Sequence, residues 1–232
     1  MRFFLAQKEF IGIIAKSQKE FEKNLKNKKI LFVYENNDKS VGAEEMFFPT
    51  TSFYHLTGVR AYDSNNNLLN SYKFYKLLKK GGIDESKLKI KDETTYYKLE
   101  VLPQLMKIDR MANMIGNFTE DRLFLQTNKI VGNVNACMGF VKNEKKLYIP
   151  NTALKEDIRG LTNDRKRVVA TFKKEMNEIY YKNITYLKQK YELINLLKNP
   201  RMQNKVDLNN IYSCDKFINK AIYDFKIKKN KS

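Results

Sequence analysis

Residues 115–148, IGNFTEDRLFLQTNKIVGNVNACMGFVKNEKKLY, break into short apolar runs separated by clusters of turn-forming residues. The runs are Asn117-Phe118, Leu123-Phe124-Leu125, Ile130-Val131, Cys137 to Val141 and, just past the quoted end, Leu147-Tyr148-Ile149. The breaks are Thr119-Glu120-Asp121, Gly132-Asn133 and Asn143-Glu144-Lys145-Lys146. Runs this short, bounded by Gly, Asn and charged residues, predict several antiparallel strands.

Upstream the period changes. Phe3, Phe10, Ile14, Phe21 and Leu25 keep helical spacing and predict an amphipathic helix packed against the sheet. Ile30 to Tyr34 is a β-rich run ended by Asn36, Asn37 and Asp38. Tyr72 to Leu78 predicts a helix closed by Gly81-Gly82. Another runs from Tyr96 to Ile108, with Leu99, Leu102, Leu105 and Ile108 in helical register and Pro103 as a kink. Helices ahead of an antiparallel sheet make an α+β fold.

Between these elements, residues 47–59 read FFPTTSFYHLTGV and contain the single histidine of the chain. An imidazole titrates near neutral pH, so His55 is the natural candidate for moving protons. Pro49 and Thr50-Thr51-Ser52 predict an irregular lead-in, Phe53-Tyr54 a short strand and Gly58 a turn. That places His55 near a strand end. The Thr57 hydroxyl and the amides around Gly58 can hold an anionic oxygen beside the ring. The other reading is a structural histidine, hydrogen-bonded in a core.

Downstream, Arg165-Lys166-Arg167 ahead of Val168-Val169 predicts three cations at the start of a final strand. Phe172 to Leu197 predicts a long helix, with Met176, Ile179, Ile184, Leu187, Tyr191 and Ile194 on its apolar side and Pro200 ending it. Leu208 to Phe225 predicts a last short helix.

The 232 residues carry a formal charge of +18, and residues 151–232 hold 19 basic against 9 acidic side chains. Such a surplus favours a polyanionic partner, with RNA or DNA first among them. Cys137 and Cys214 fit neither a metal cluster nor a disulfide framework and read as reduced thiols. The opening MRFFLAQKEFIGIIAK is too short and too broken by charge for a secretory or spanning segment, so a cytoplasmic protein with no membrane partner is expected. Walker, G-x-G-x-x-G, H-E-x-x-H, C-x-x-C and G-x-S-x-G patterns are absent, and one histidine supplies no multi-histidine metal site. No metal and no cofactor is expected.

Phe53 to Val59 (FYHLTGV), Phe74-Tyr75 with Leu78, Lys98-Leu99-Glu100-Val101-Leu102, Thr127 to Asn133 (TNKIVGN) and Tyr148-Ile149-Pro150-Asn151-Thr152 follow one another in order. Over about residues 31–180 this series resembles the fourth family of phage-type nuclease domains with the barnase, EndoU, colicin and RelE-like fold. The resemblance implies a compact α+β domain over residues 1–180, with N-terminal helices packed on an antiparallel β-sheet. It also implies carriage by phages or mobile elements and a ribonuclease-like site. Residues 181–232 then read as a basic helical C-terminal extension.

Metal-free RNA cleavage uses the ribose 2′-hydroxyl as nucleophile and needs a base, an acid and cations around the phosphate. On that reading the catalytic set is His55 for proton transfer, Thr57 to orient the phosphate and Lys129 to stabilise charge. Arg122 and Lys98 add cations, Thr127, Asn151 and Thr152 add hydrogen bonds, and Arg165, Lys166 and Arg167 bind RNA. The expected function is a metal-independent endoribonuclease acting on structured small RNA, transfer RNA or guide RNA. The alternative is an inactive nuclease-fold protein that occludes a host ribonucleoprotein such as an RNA-guided defence complex, in the manner of an anti-CRISPR. A third reading is a DNA-binding accessory protein.

Overall fold

The computed structural model describes residues 7–119, 125–189, 191, 193–197 and 199–229. In chain order these form α1 (Gln7–Asn24), β1 (Lys28–Glu35), β2 (Val41–Phe47), α2 (Ser52–Thr57), β3 (Val59–Ala61), α3 (Ser71–Lys79), β4 (Leu88–Ile90), α4 (Thr94–Leu105) and α5 (Ile108–Met111). The strand-rich half follows with β5 (Met114–Asn117), β6 (Lys129–Gly132), β7 (Cys137–Lys142), β8 (Tyr148–Leu154), β9 (Lys166–Glu175) and β10 (Asn183–Leu187). Then come α6 (Ile194–Leu197), α7 (Pro200–Gln203) and α8 (Lys216–Lys229). The α+β architecture expected from the sequence is the one observed.

The main sheet runs β1-β2-β8-β7-β6-β5-β9-β10, and β9 also pairs with β1. Following the pairings from β1 through β9 therefore leads back to β1, with β10 added outside this circuit. Every pairing in it is antiparallel except a single parallel contact, Met46 with Tyr148, between β2 and β8. β3 and β4 form a separate two-stranded ribbon.

Strand alternation sends side chains to two cores. Ile30, Phe32, Met46, Val131, Met138, Phe140 and Val168 join α1 to α4 in the larger one. Leu31, Val33, Val169 and Phe172 face a second core with Tyr181, Leu196, Met202, Ile218, Ile222 and Phe225. Residues after 180 thus cover one face of the sheet and supply β10 to its edge.

Four expectations are corrected. Phe53-Tyr54 is not a strand: Ser52, Phe53, Leu56 and Thr57 are buried along one face of α2, and a left-handed Gly58 closes that helix. The long helix over Phe172 to Leu197 is replaced by β9, a turn and β10, because Phe172 and Ile184 pair across a ladder while Met176 and Ile179 stand in solvent. Pro200 opens α7, where its missing N–H costs nothing, and does not end a helix. β2 was not anticipated, and β9 is not the final strand. Of the Leu123-Phe124-Leu125 run, Leu123 and Phe124 lie outside the described residues. Among the described residues no helix is long and apolar enough to cross a membrane.

One ion pair is closed off from water. Lys173 of β9 donates to Asp109 Oδ2 of α5 at 2.7 Å, with Asp109 fully buried and Lys173 at 8% exposure. Desolvation pushes the Lys173 ammonium below its ordinary pKa, and Asp109 acts against it. Removing one member of such a pair strands the other, whereas replacing both by apolar groups is cheap. Asp109→Ala is expected to lose about 3–5 kcal/mol in urea denaturation. The double Asp109→Leu, Lys173→Met variant is expected to regain most of that.

Candidate active site

The residues around His55 are organised by the end of α2. Thr57 is fully buried; its hydroxyl donates to the Tyr54 carbonyl at 2.7 Å and accepts the Val59 N–H at 3.3 Å. Gly58 follows at φ 70°, a conformation that costs a residue with a Cβ. Its carbonyl accepts the Thr95 hydroxyl at 2.6 Å and the Lys91 N–H at 3.2 Å, which ties the helix end to the start of α4. Lys98, one turn after Thr95, lays its stem over Gly58: a Cβ there would lie 2.9 Å from Lys98 Cδ.

This junction gathers basic groups. His55 sits on the exposed side of α2. Packing around its ring, reinforced by the Lys91 charge, holds its pKa below the ordinary histidine value. Lys98 is half-buried, and desolvation lowers its pKa too; Asp92 works against the shift and Lys91 adds to it. Lys91 therefore acts on both groups.

Beyond Lys98 opens a cavity of about 300 Å³ lined by Thr94, Tyr97, Lys98, Leu125, Thr152 and Lys155, among others. Thr152, on β8, is 3% exposed, and its buried hydroxyl has no hydrogen-bond partner among the described residues; the same holds for the Thr127 hydroxyl. The two threonines flank Gly139 of β7, where a Cβ would come within 2.8 Å of one and 2.9 Å of the other. Buried hydroxyls left unpaired are uncommon in folded chains. Thr152 is on the lining of the cavity that also holds the desolvated Lys98, while Thr127 lies across Gly139 from it. Asn151 holds the chain in place by donating to the Gln126 carbonyl at 2.8 Å.

Lys129 belongs to a different set. It points to the sheet face that carries Val131, is 8% exposed, and meets Glu44 at 3.2 Å, with its ammonium 5.7 Å from the centre of the Tyr148 ring. Lys142 stands over the same ring at 5.1 Å. Lys166 lies 5.0 Å over Tyr34, while Arg165 and Arg167 are exposed, so strand alternation divides the basic triplet between faces. Arg122 lies outside the described residues.

The structure thus sets Lys98 over the Gly58 turn that ends the His55 helix, puts Thr152 on the cavity beside Lys98 with Thr127 across Gly139, and turns the Thr57 hydroxyl inward, where it shapes the turn. Lys91, Thr95 and Glu44 were missed. Glu44 and Glu45 of β2 face opposite sides, and Glu45 turns to Lys29 and Tyr181.

A profile of the family described as phage-Barnase-EndoU-ColicinE5/D-RelE like nuclease4 matches residues 13–190. No curated protein and no solved structure matches the chain.

Gly58→Ala is expected to cost about 1–2 kcal/mol through its left-handed backbone alone. It also displaces the Lys98 stem. Urea midpoints check the first effect, and faster acetylation of Lys98, read by mass spectrometry, checks the second.

Proposed function

The chain belongs to this nuclease family, and on that premise we propose that it is a metal-independent endoribonuclease acting on structured small RNA. The observation that carries the reading is the Gly58 junction, which sets Lys98 between the His55 helix and a cavity lined by Thr152, whose hydroxyl has no hydrogen-bond partner among the described residues.

The chemistry assigned to it is transesterification. The 2′-hydroxyl oxygen attacks the adjacent phosphorus while its proton passes to neutral His55; the bond to the 5′-oxygen breaks and a 2′,3′-cyclic phosphate remains. Lys98 stabilises the charge gathering on the phosphate oxygens and supplies the proton to the leaving 5′-oxygen. Its lowered pKa makes it a better acid than an ordinary lysine. Thr152, on the cavity lining, gives the phosphate a hydrogen bond that its hydroxyl lacks among the described residues. Thr57 positions the turn without touching substrate, a change from the role its place in the sequence suggested.

His55 must be deprotonated to act, so cleavage falls as pH drops through its lowered pKa. Lys98 must be protonated, so cleavage falls again as pH rises through its own lowered pKa. A bell-shaped profile displaced to the acid side of ordinary histidine and lysine values is expected.

End-labelled small RNA incubated in EDTA and resolved on a denaturing gel tests the assignment. His55→Ala is expected to slow cleavage by about 10²–10⁴-fold and to erase the acid limb. Lys98→Met, which keeps the stem over Gly58, is expected to cost about 10²–10³-fold. Intact RNA with the wild-type chain, together with a shift on a native gel, would overturn cleavage in favour of an occluding RNA-binding protein.

A further inference from the structure

A larger opening than the cavity beside Lys98 lies elsewhere. A cleft of about 1130 Å³ lies between the turn end of β1 and β2, Lys166 of β9, and the segment carrying Tyr191, Asn195 and Lys205. We propose that this cleft is a second RNA site, which holds a short single-stranded stretch of the substrate apart from the bond that is cut.

Its charge comes from lysines left over after pairing. The two carboxylates on its wall are already engaged, Glu35 with Lys39 at 3.3 Å and Glu44 with Lys129 at 3.2 Å. Lys166 and Lys205 make no ion pair among the described residues, and their ammonium groups are available to phosphates. The polar chemistry comes from Tyr191, which lines the cleft and whose buried hydroxyl has no hydrogen-bond partner among the described residues. Burial, with Glu35 nearby, pushes that phenol up to about 12, so it remains a protonated donor. The Asn195 amide adds a donor and an acceptor suited to a base edge.

The shape favours one strand over two. Tyr34 is only 9% exposed, packs over Gly42, where a Cβ would come within 2.4 Å of the ring, and carries Lys166 above it. A wall so recessed is reached by an unstacked nucleotide, whereas a duplex keeps its bases inside and offers phosphates alone. The inference rests on the nuclease reading for the identity of the strand; the cation and hydroxyl placement stands apart from it.

The test is fluorescence anisotropy of the full chain with a labelled 2′-O-methyl RNA ten-mer, which has no 2′-hydroxyl to react, at several salt concentrations. Lys166→Ser with Lys205→Ser is expected to weaken binding at least tenfold and to reduce the salt slope by about 1.4, two contacts at about 0.7 each. The paired Lys166→Arg, Lys205→Arg variant is expected to keep both. Tyr191→Phe is expected to weaken binding severalfold with no change of slope. In the wild-type chain the ten-mer is expected to shield Lys166 and Lys205 from acetylation, a readout that does not depend on how a variant folds. Unchanged affinity and slope in the serine variant overturn the proposal, as does equal loss of duplex binding or an absence of shielding. If the wild-type chain leaves RNA uncut while these binding effects appear, the nuclease reading fails and the second site stands. If RNA is cut and these binding effects are missing, the second site fails and the nuclease reading stands.

Discussion

Strand β9 is hydrogen-bonded to three others, and the rest of the sheet depends on it. One edge pairs with β1 along nearly its whole length. The other edge is divided: Lys166 and Arg167 pair with β5, and residues from Ala170 to Lys173 pair with β10. Without β9 the β5-β6-β7-β8 half and the β1-β2 hairpin meet only at Met46 and Tyr148. Its two faces also divide the interior, with Val168 in the helix-side core and Val169 and Phe172 in the other. The cost of placing a lysine at position 173 is contained because Asp109 reaches it from α5, which anchors that helix as well.

The junction at Gly58 depends on that sheet indirectly. α2 and α4 rest on β8, and β8 is held in the circuit by β7 and by its one contact with β2. Within that frame the position of Lys98 relative to His55 is set by short-range chemistry. A left-handed glycine ends α2, a threonine hydroxyl from α4 satisfies the exposed carbonyl, and the lysine one turn later has no side chain beneath it to push it away. Lys98 is half-buried and His55 exposed, and desolvation draws the pKa of each below its ordinary value.

Much of this was legible from residues alone. The alternating runs after residue 115 and the helical spacing of Phe10, Ile14 and Phe21 are local patterns, and they gave the α+β class. Two places misled for physical reasons. FYHL is β-prone by composition, yet four buried positions on one side and a glycine cap make it a helix, and the cap is decided by contacts with Thr95 and Lys91 far along the chain. In residues 172–197 apolar side chains fall at spacings that serve a helix or a hairpin equally, and pairing with a strand 140 or so positions earlier settles the choice. His55, Lys98, Thr127 and Thr152 were nameable because their residue types carry chemistry. That Lys129 is drawn to Glu44 was hidden, since β2 itself was not visible in the sequence.

Net charge alone is a blunt guide to where a polyanion binds this chain. Lys29, Lys79, Lys129 and Lys155 each sit within 3.2 Å of a carboxylate, and Lys173 is sealed inside, so none offers an unopposed charge. Charge already neutralised by a neighbour releases few counterions on binding. Lys98, Lys166 and Lys205 each border a concavity and make no ion pair among the described residues. The sheet places Lys166 and Lys205 beside one opening and Lys98 beside another. On the assignments proposed above, a strand long enough to reach both would be held by one set of cations while the other meets its phosphate, a division that separates affinity from chemistry: binding at the larger opening would be uniform with respect to the reaction, whereas interactions at Lys98 would strengthen as charge builds on the phosphate.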